Sequence, residues 1–341
     1  MRAIVVDKPK APIAITERDK PKPGAGEVLI SVQACGICHG DLDVQQGAFP
    51  YADIAAYPIV PGHEVAGVVE AVGTGVDWPQ KGMRVGMPWL HSSCGHCAAC
   101  LAGDDVLCSE IEITGVTKDG GFQEFMLAPA RHISALPDGL DFADAAPLMC
   151  AGLTVFSGLR HAGFEPGQKV AVTGLGGLGH LGVLYAHAMG ARVAVISSTP
   201  EKEKEAHELG AELFINAAKD NITEVLQSWD GGADVILAPA PSTDIMEACF
   251  PGLARHGTLV VLGVTDAELK LAPTDFILGE RRVIGSLIGS RTDIQDALTF
   301  AVAHGIKPRI TRFPLEQVGD AIQQMQQGNL RGRGVVVMNG G

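Results

Sequence analysis

The sequence predicts an α/β chain in which a doubly wound, six-stranded parallel sheet is joined to an irregular, mainly β domain. Three observations carry this. From about residue 152 onward, short apolar runs alternate with helical stretches, the grammar of strands linked by crossover helices. Before that point, Gly and Pro cut the apolar runs into short strands and loops. Glycine is abundant, at 43 of 341 residues, while aromatic residues make up only 5%. That balance suits tight βα turns and close helix–sheet packing rather than an aromatic-rich sandwich.

In chain order, 27–34 (EVLISVQA) and 65–72 (VAGVVEAV) read as strands of the first domain, with PKPGAG and PYADIAAYPIVPG as loops. The second domain then reads as strand 169–173, helix 177–190, strand 192–197 and a polar helix near 200–209. Strands at 212–216 and 233–239 follow, then a helix near 242–254 and strands 258–263 and 282–289. A helix near 292–304 and a final strand at 334–338 fit no seventh βα unit, so the tail is expected to return to the first domain. The expected division is 1–151 with 288–341 for a discontinuous first domain, and 152–287 for the second.

A length of 341 residues allows about two domains with sizeable cores. The 26 basic and 39 acidic side chains leave a formal charge of −13, which argues against nucleic acid and anionic membrane as partners. No run approaches the length of a membrane span, and the first twenty residues lack the continuous apolar stretch of a signal peptide. The expectation is a cytoplasmic enzyme whose mature chain begins at Met1. Eight cysteines in such a protein point to metal ligation or catalysis before disulfides.

Four of them, Cys94, Cys97, Cys100 and Cys108, fall within fifteen residues in CGHCAACLAGDDVLC. A loop this short can wrap one zinc ion in a closed Cys₄ site; an iron–sulfur cluster also suits tightly spaced thiolates. His91 and His96 flank a shell already filled by sulfur and read as surface or supporting residues. A second, dispersed set comprises Cys38 in ACGICHGD, His63 and Glu64 in PGHEVAGVVEAVG, and Cys150 in PLMCAGLTVF. Taken singly each reads as a packed thiol or a satisfied histidine, and spacing does not show that Cys150 reaches Cys38. Cys35 and Cys249 read as small buried hydrophobes.

Gly174-Leu-Gly176-Gly177-Leu178-Gly179 follows an expected strand and opens an expected helix, the context a dinucleotide fingerprint demands. The first glycine permits the tight turn, the second admits the pyrophosphate to the backbone, and the third lets helix pack on strand, as in a Rossmann fold. An NAD site would place Asp or Glu at the end of the second strand. Ser197 stands there instead, followed by Ser198, Thr199 and Lys202. Hydroxyls and an ammonium suit a 2′-phosphate, which favours NADP(H) over NAD. The Glu and Lys alternation over 201–204 also reads as a solvated helix face.

The run GHEVAGVVEAVGTGV, with Gly62, His63, Glu64, Gly67, Gly73 and Val76 in register, resembles the zinc signature of the medium-chain alcohol dehydrogenases. CGICHGD, the four-cysteine lobe and PLMCAGLTV are similar to that family's blocks in the same order, and the likeness runs from about residue 25 to 338. GLGGLGH followed by VISS is similar to the cinnamyl alcohol dehydrogenase branch. The resemblance implies two zinc ions per chain: a structural one in the lobe, and a catalytic one on Cys38, His63 and Cys150. Glu64 is implied as the carboxylate that enters during ligand exchange, and Asp41 as the acceptor that fixes the tautomer of His63. It also implies Thr154 near the nicotinamide, Arg333 near the pyrophosphate, His39 as a further candidate for the phosphates, and Phe49 and Trp89 in the substrate pocket. A homodimer or homotetramer is implied, joined through the long terminal strand of the nucleotide sheet.

The reaction so implied is hydride transfer between NADP(H) and a small alcohol or aldehyde held on zinc. One position departs from the family. Gly40 stands where a Ser or Thr hydroxyl usually passes on the alcohol proton, and Asp43 stands where a histidine is common. Protons would then leave through water toward Asp43. Alternatively, the enzyme reduces activated C=C or C=N bonds, as do some plant members of the branch lacking this hydroxyl. A catalytically silent nucleotide-binding protein is the third reading. The metal-ligand set argues against it, because buried ligands cost desolvation.

Overall fold

The computed structural model describes residues 1–338. The chain divides into two units, Ala151–Ile288 and Met1–Cys150 joined by the chain from Gly289 onward. The first of these is a six-stranded sheet, all parallel. Its spatial order is Leu213–Asn216, Arg192–Ser197, Lys169–Thr173, Ala233–Ala238, Leu253–Val261 and Arg282–Gly285. The strands Lys169–Thr173, Arg192–Ser197 and Ala233–Ala238 are almost continuously buried, which is why they are runs of Val, Ile, Leu and Ala without polar alternation. Strand order reverses beside Lys169–Thr173, and the carboxyl ends of strands at such a reversal are where doubly wound sheets place ligands.

Several boundaries differ from the sequence reading. The helix expected at 177–190 spans Gly179–Ala188, because the glycine turn before it consumes the first residues. The helix expected near 242–254 is Thr243–Cys249. Pro251, which has no N–H to continue the ladder, lies in a tighter turn, Phe250–Gly252. The long terminal strand expected at 282–289 is only Arg282–Gly285. It stops where its neighbour does, Gly285 pairing with Val261, the last residue of Leu253–Val261.

The other unit is built on a mainly antiparallel sheet. Ile310–Pro314, Arg333–Val337, Glu27–Ile37, Glu64–Val72, Arg84–Met87 and Ser134–Ala135 lie in that order, with Phe125–Pro129 also paired to Glu27–Ile37. Val28, Ile30, Val32, Val65, Val69, Phe122 and Met126 form its core. The sequence reading missed the strand Ile310–Pro314 and the helix Val318–Gln326, whose buried Val318, Ala321 and Ile322 follow helical spacing. Register matters more here than element length. Gly334 lies opposite Ile37, and Glu64 lies opposite Gly36, so three strand ends bring Arg333, Cys38 and Glu64 to one place. Among the described residues no single helix is long and apolar enough to cross a membrane.

Candidate active site

Cys38 follows the last residue of Glu27–Ile37 and caps the helix His39–Gln46. His63 immediately precedes Glu64–Val72, and Cys150 follows the turn Ala146–Met149. Their ligand atoms and a carboxylate oxygen of Glu64 all lie within 4.8 Å of one another. The structure thus brings together the dispersed set that spacing alone left open. Two glycines make the arrangement possible. A Cβ on Gly36 would stand 1.9 Å from Glu64 Oε2, and Gly62, at φ +99°, would press a Cβ to 2.8 Å from Cys35 Sγ.

Asp41, 1% exposed, organises the cluster. Its Oδ2 accepts the N–H of Cys38 at 2.8 Å and its Oδ1 the N–H of Gly62 at 3.0 Å. The same Oδ1 stands 3.2 Å from His63 Nδ1. With Nδ1 committed to the carboxylate, Nε2 is the ring nitrogen on the Cys38 side and the one available to bind an electrophile.

Charge is concentrated behind this group. Arg333, 4% exposed, donates through Nη2 to Oε1 of Glu64, which is fully buried. Burial pushes the Glu64 carboxyl up to about 7, even though the guanidinium pulls the other way. Cys38 is hydrogen-bonded to Cys150 and held well below the usual thiol range, helped by His63 and Arg333, while Cys150 is raised by the same bond. Burial works against a charged His63, but Asp41 and Cys38 outweigh it and raise its pKa. Glu64 Oε2 is buried without a hydrogen-bond partner. Two sulfurs, a ring nitrogen and an unpartnered carboxylate oxygen fit a divalent metal of intermediate softness such as zinc.

The residues around this cluster are unequally placed. His39 is 71% exposed and 3.7 Å from Asp43. Phe49 is 54% exposed, whereas Trp89 is buried at 6% and donates its indole N–H to the hydroxyl of Tyr51 at 3.0 Å. Sequence reasoning missed Tyr51, which lies in an irregular loop with no motif to mark it. Burial pushes its phenol well above the ordinary value, so it is neutral at physiological pH.

In the lobe, Cys94, Cys97, Cys100 and Cys108 also converge within 4.8 Å. Cys97 and Cys100 sulfurs are 3.5 Å apart and those of Cys94 and Cys100 3.9 Å. A tetrahedron with zinc–sulfur bonds of about 2.3 Å has edges of about 3.8 Å. In a four-iron cluster each thiolate binds a different iron, which sets the sulfurs farther apart. The lobe therefore fits a single tetrahedral ion. Backbone N–H groups of His96 and Cys97 pull Cys94 down to about 6, stabilising the thiolate such an ion needs. His96 is exposed and His91 partly buried.

In the parallel-sheet unit, the three fingerprint glycines differ in what surrounds them. Gly174 has φ +79°, a turn conformation L side chains rarely adopt. A Cβ on Gly179 would lie 1.9 Å from Gly174 O, whereas one on Gly176 would meet nothing within 4 Å. The first glycine is thus for the turn, the third for packing, and the second faces open space where a ligand can approach. Gly177 and Leu178 lead into the helix Gly179–Ala188, whose N-terminus carries partial positive charge. A cavity of about 370 Å³ here is lined by Gly174, Gly176, Ser197, Ser198, Thr199, Lys202 and Ser242, among others. No Asp or Glu lines it. Thr154 is buried at 4% in the helix Ala151–His161.

Family models match two stretches of the chain: the alcohol dehydrogenase GroES-like domain over residues 24–138 and the zinc-binding dehydrogenase model over 177–303. An alcohol dehydrogenase of Geobacillus stearothermophilus is 39% identical, the match covering 98% of this chain and 99% of the relative. Among solved structures, a cinnamyl alcohol dehydrogenase of Sorghum bicolor is similar with a TM-score of 0.89. It is 33% identical, with 99% of this chain and 98% of that one covered. The CAD of Helicobacter pylori complexed with NADP(H) gives a TM-score of 0.87 and 27% identity over 99% and 98%.

Proposed function

The chain belongs to the zinc-containing medium-chain alcohol dehydrogenase family, and on that premise we propose that it is an NADP-dependent aldehyde reductase using two zinc ions. Its coarser activity follows from membership: it is an alcohol dehydrogenase, a zinc-dependent oxidoreductase that uses a nicotinamide cofactor on small molecules. The finer reading rests on one observation, the convergence of Cys38, His63, Glu64 and Cys150 around a tautomer fixed by Asp41.

Cys38, His63 and Cys150 would hold the catalytic ion, with Glu64 as the exchanging carboxylate, and the four-thiol lobe would hold the structural one. When bound, zinc supplies Lewis acidity that stabilises negative charge on a substrate oxygen, and the nicotinamide supplies or accepts hydride. The protein's own part is to bring the Cys38 and Cys150 sulfurs together, to present Nε2 of His63, and to balance the buried negative charge with Arg333. Arg333 and Thr154 also take the cofactor-side roles that the resemblance implies, with His39 a further phosphate candidate and Phe49 and Trp89 lining the substrate pocket.

Preference for NADP(H) is supported by the hydroxyls of Ser197, Ser198 and Thr199, the ammonium of Lys202, and a cavity lining without a carboxylate. A cytoplasmic location is supported by eight free cysteines, eight being every cysteine of the chain. A homodimer or homotetramer follows the resemblance, and light scattering on the purified protein decides it.

The test is NADPH and NADH oxidation against a panel of aldehydes, enones and iminium compounds, for the parent and Cys38→Ser. Aldehyde turnover with NADPH that Cys38→Ser abolishes is the expected result. Enone or iminium turnover that survives Cys38→Ser would replace this reading with reduction of activated double bonds.

A further inference from the structure

Gly40 is the second residue of the helix that Cys38 caps, on the rim of the proposed metal site. It is outside the left-handed region, so its backbone conformation does not call for glycine; space does. A Cβ built there would stand 3.2 Å from Tyr51 Cε2, 3.4 Å from the Tyr51 hydroxyl and 3.3 Å from His63 Cε1. The phenol edge and the imidazole edge therefore border the same point. A Ser or Thr side chain at position 40 would have to occupy room that Tyr51 already takes.

The phenol is also aimed. Trp89, buried at 6%, donates its indole N–H to the Tyr51 hydroxyl at 3.0 Å. An indole nitrogen can only donate, so the phenol oxygen accepts there and keeps its own hydrogen to give elsewhere. The backbone N–H of Tyr51 bonds to Ala48 O at 2.9 Å, fixing the loop that carries the ring.

We propose that Tyr51 is a catalytic residue: its hydroxyl, held by Trp89 and admitted by Gly40, donates the hydrogen bond to the substrate oxygen in this site. The inference rests on the reading of Cys38, His63 and Cys150 as the zinc site. As hydride reaches a carbonyl carbon, charge develops on the oxygen, and a fixed donor at that oxygen favours the transition state over the ground state. Gly40 and Tyr51 are then a matched pair. The hydroxyl missing from position 40 is supplied from position 51, and the side chain missing from position 40 is what makes room for it.

Tyr51→Phe keeps the ring and removes only the hydroxyl. In zinc-loaded enzyme it is expected to lower kcat for aldehyde reduction by about 10- to 100-fold, while KM changes less than threefold. Zinc content should match the parent, and the melting temperature should fall by only a few degrees, because the buried Trp89 indole loses its acceptor. A second hydroxyl tests the pairing: Gly40→Thr combined with Tyr51→Val should recover at least tenfold of the activity lost in Tyr51→Val alone. A third readout needs no turnover. Gly40→Ala should lower the melting temperature clearly more with Tyr51 present than in the Tyr51→Val background, where only the contact with His63 Cε1 remains. A kcat within twofold of the parent in Tyr51→Phe, or equal effects of Gly40→Ala in both backgrounds, would overturn the proposal. A parent that turns over no aldehyde would instead overturn the function proposed above, whatever Tyr51 does.

Discussion

Replacing Arg333 by Met tests the electrostatics that hold the site together. The guanidinium is 4% exposed and its partner Glu64 fully buried, so the variant leaves a carboxylate without solvent and without its guanidinium partner. Breaking a buried pair from one side costs about 3–5 kcal/mol. In a folding unit of about 200 residues each kcal/mol moves the melting temperature by about 2–4 °C, which gives a drop of about 6–20 °C. The pH dependence is the sharper signature. Burial already raises Glu64 to about 7 from 4.5 with Arg333 in place, and without Arg333 it rises further. The folded state then binds more protons than the unfolded one above pH 4.5, so stability falls as pH rises. The deficit of Arg333→Met relative to the parent should be small at pH 5.5 and largest at pH 8.5, read by thermal melts of zinc-free protein. Adding Glu64→Gln should remove most of it, because the amide carries no charge to strand. A deficit that is the same at both pH values, or a double variant no more stable than Arg333→Met, would refute the argument.

Three more outcomes follow from the geometry. Gly176→Ala should melt like the parent yet bind NADPH at least tenfold more weakly, whereas Gly179→Ala, with its Cβ 1.9 Å from Gly174 O, should lose melting temperature before cofactor is considered; calorimetry and titration separate the two. Ser197→Asp should shift the ratio of kcat/KM for NADPH over NADH at least tenfold toward NADH, and an unchanged ratio would remove Ser197 from the phosphate site. Burial holds His132 and His91 down at about 4, below the usual 6.5, so each must stay neutral in the folded state. The unfolded chain takes up their protons first, so stability should be intact above pH 6.5 and decline between pH 6.5 and 4. His132→Gln, which cannot charge, should flatten that decline in chemical denaturation.

Much of the fold was legible because each unit has its own period. Lys169–Thr173 and Arg192–Ser197 were read at their observed bounds, since strands buried on both faces must be runs of branched apolar residues. What failed depends on neighbours in space rather than on any pattern along the chain. The edge strand is half as long as its apolar run because its partner ends at Val261, and the strand Ile310–Pro314, exposed at three of its five residues, carries too little apolar signal to stand out. The helix Val318–Gln326 does carry an apolar stripe, but one so short that polar glutamines dominate its reading.

The site shows a similar division, with a chemical cause. Cys38, His63, Glu64 and Cys150 could be picked out through the resemblance to the medium-chain alcohol dehydrogenases, since taken singly each reads as a packed thiol or a satisfied histidine. The contacts that make them work are not marked in this way. Gly36 is needed because Glu64 Oε2 fills the place of its Cβ, and Arg333 reaches Glu64 only because the last strand lies beside Glu27–Ile37 with Gly334 opposite Ile37. Tyr51 meets Gly40 across a loop of no recognisable pattern. A sequence displays donors but not the space between them, and here space carries chemical information. Gly40, which looks like a lost hydroxyl when read along the chain, borders a phenol when read in three dimensions. On the proposal made above, the hydroxyl this site uses therefore comes from Tyr51, a residue with no motif, rather than from the position where the motif is broken.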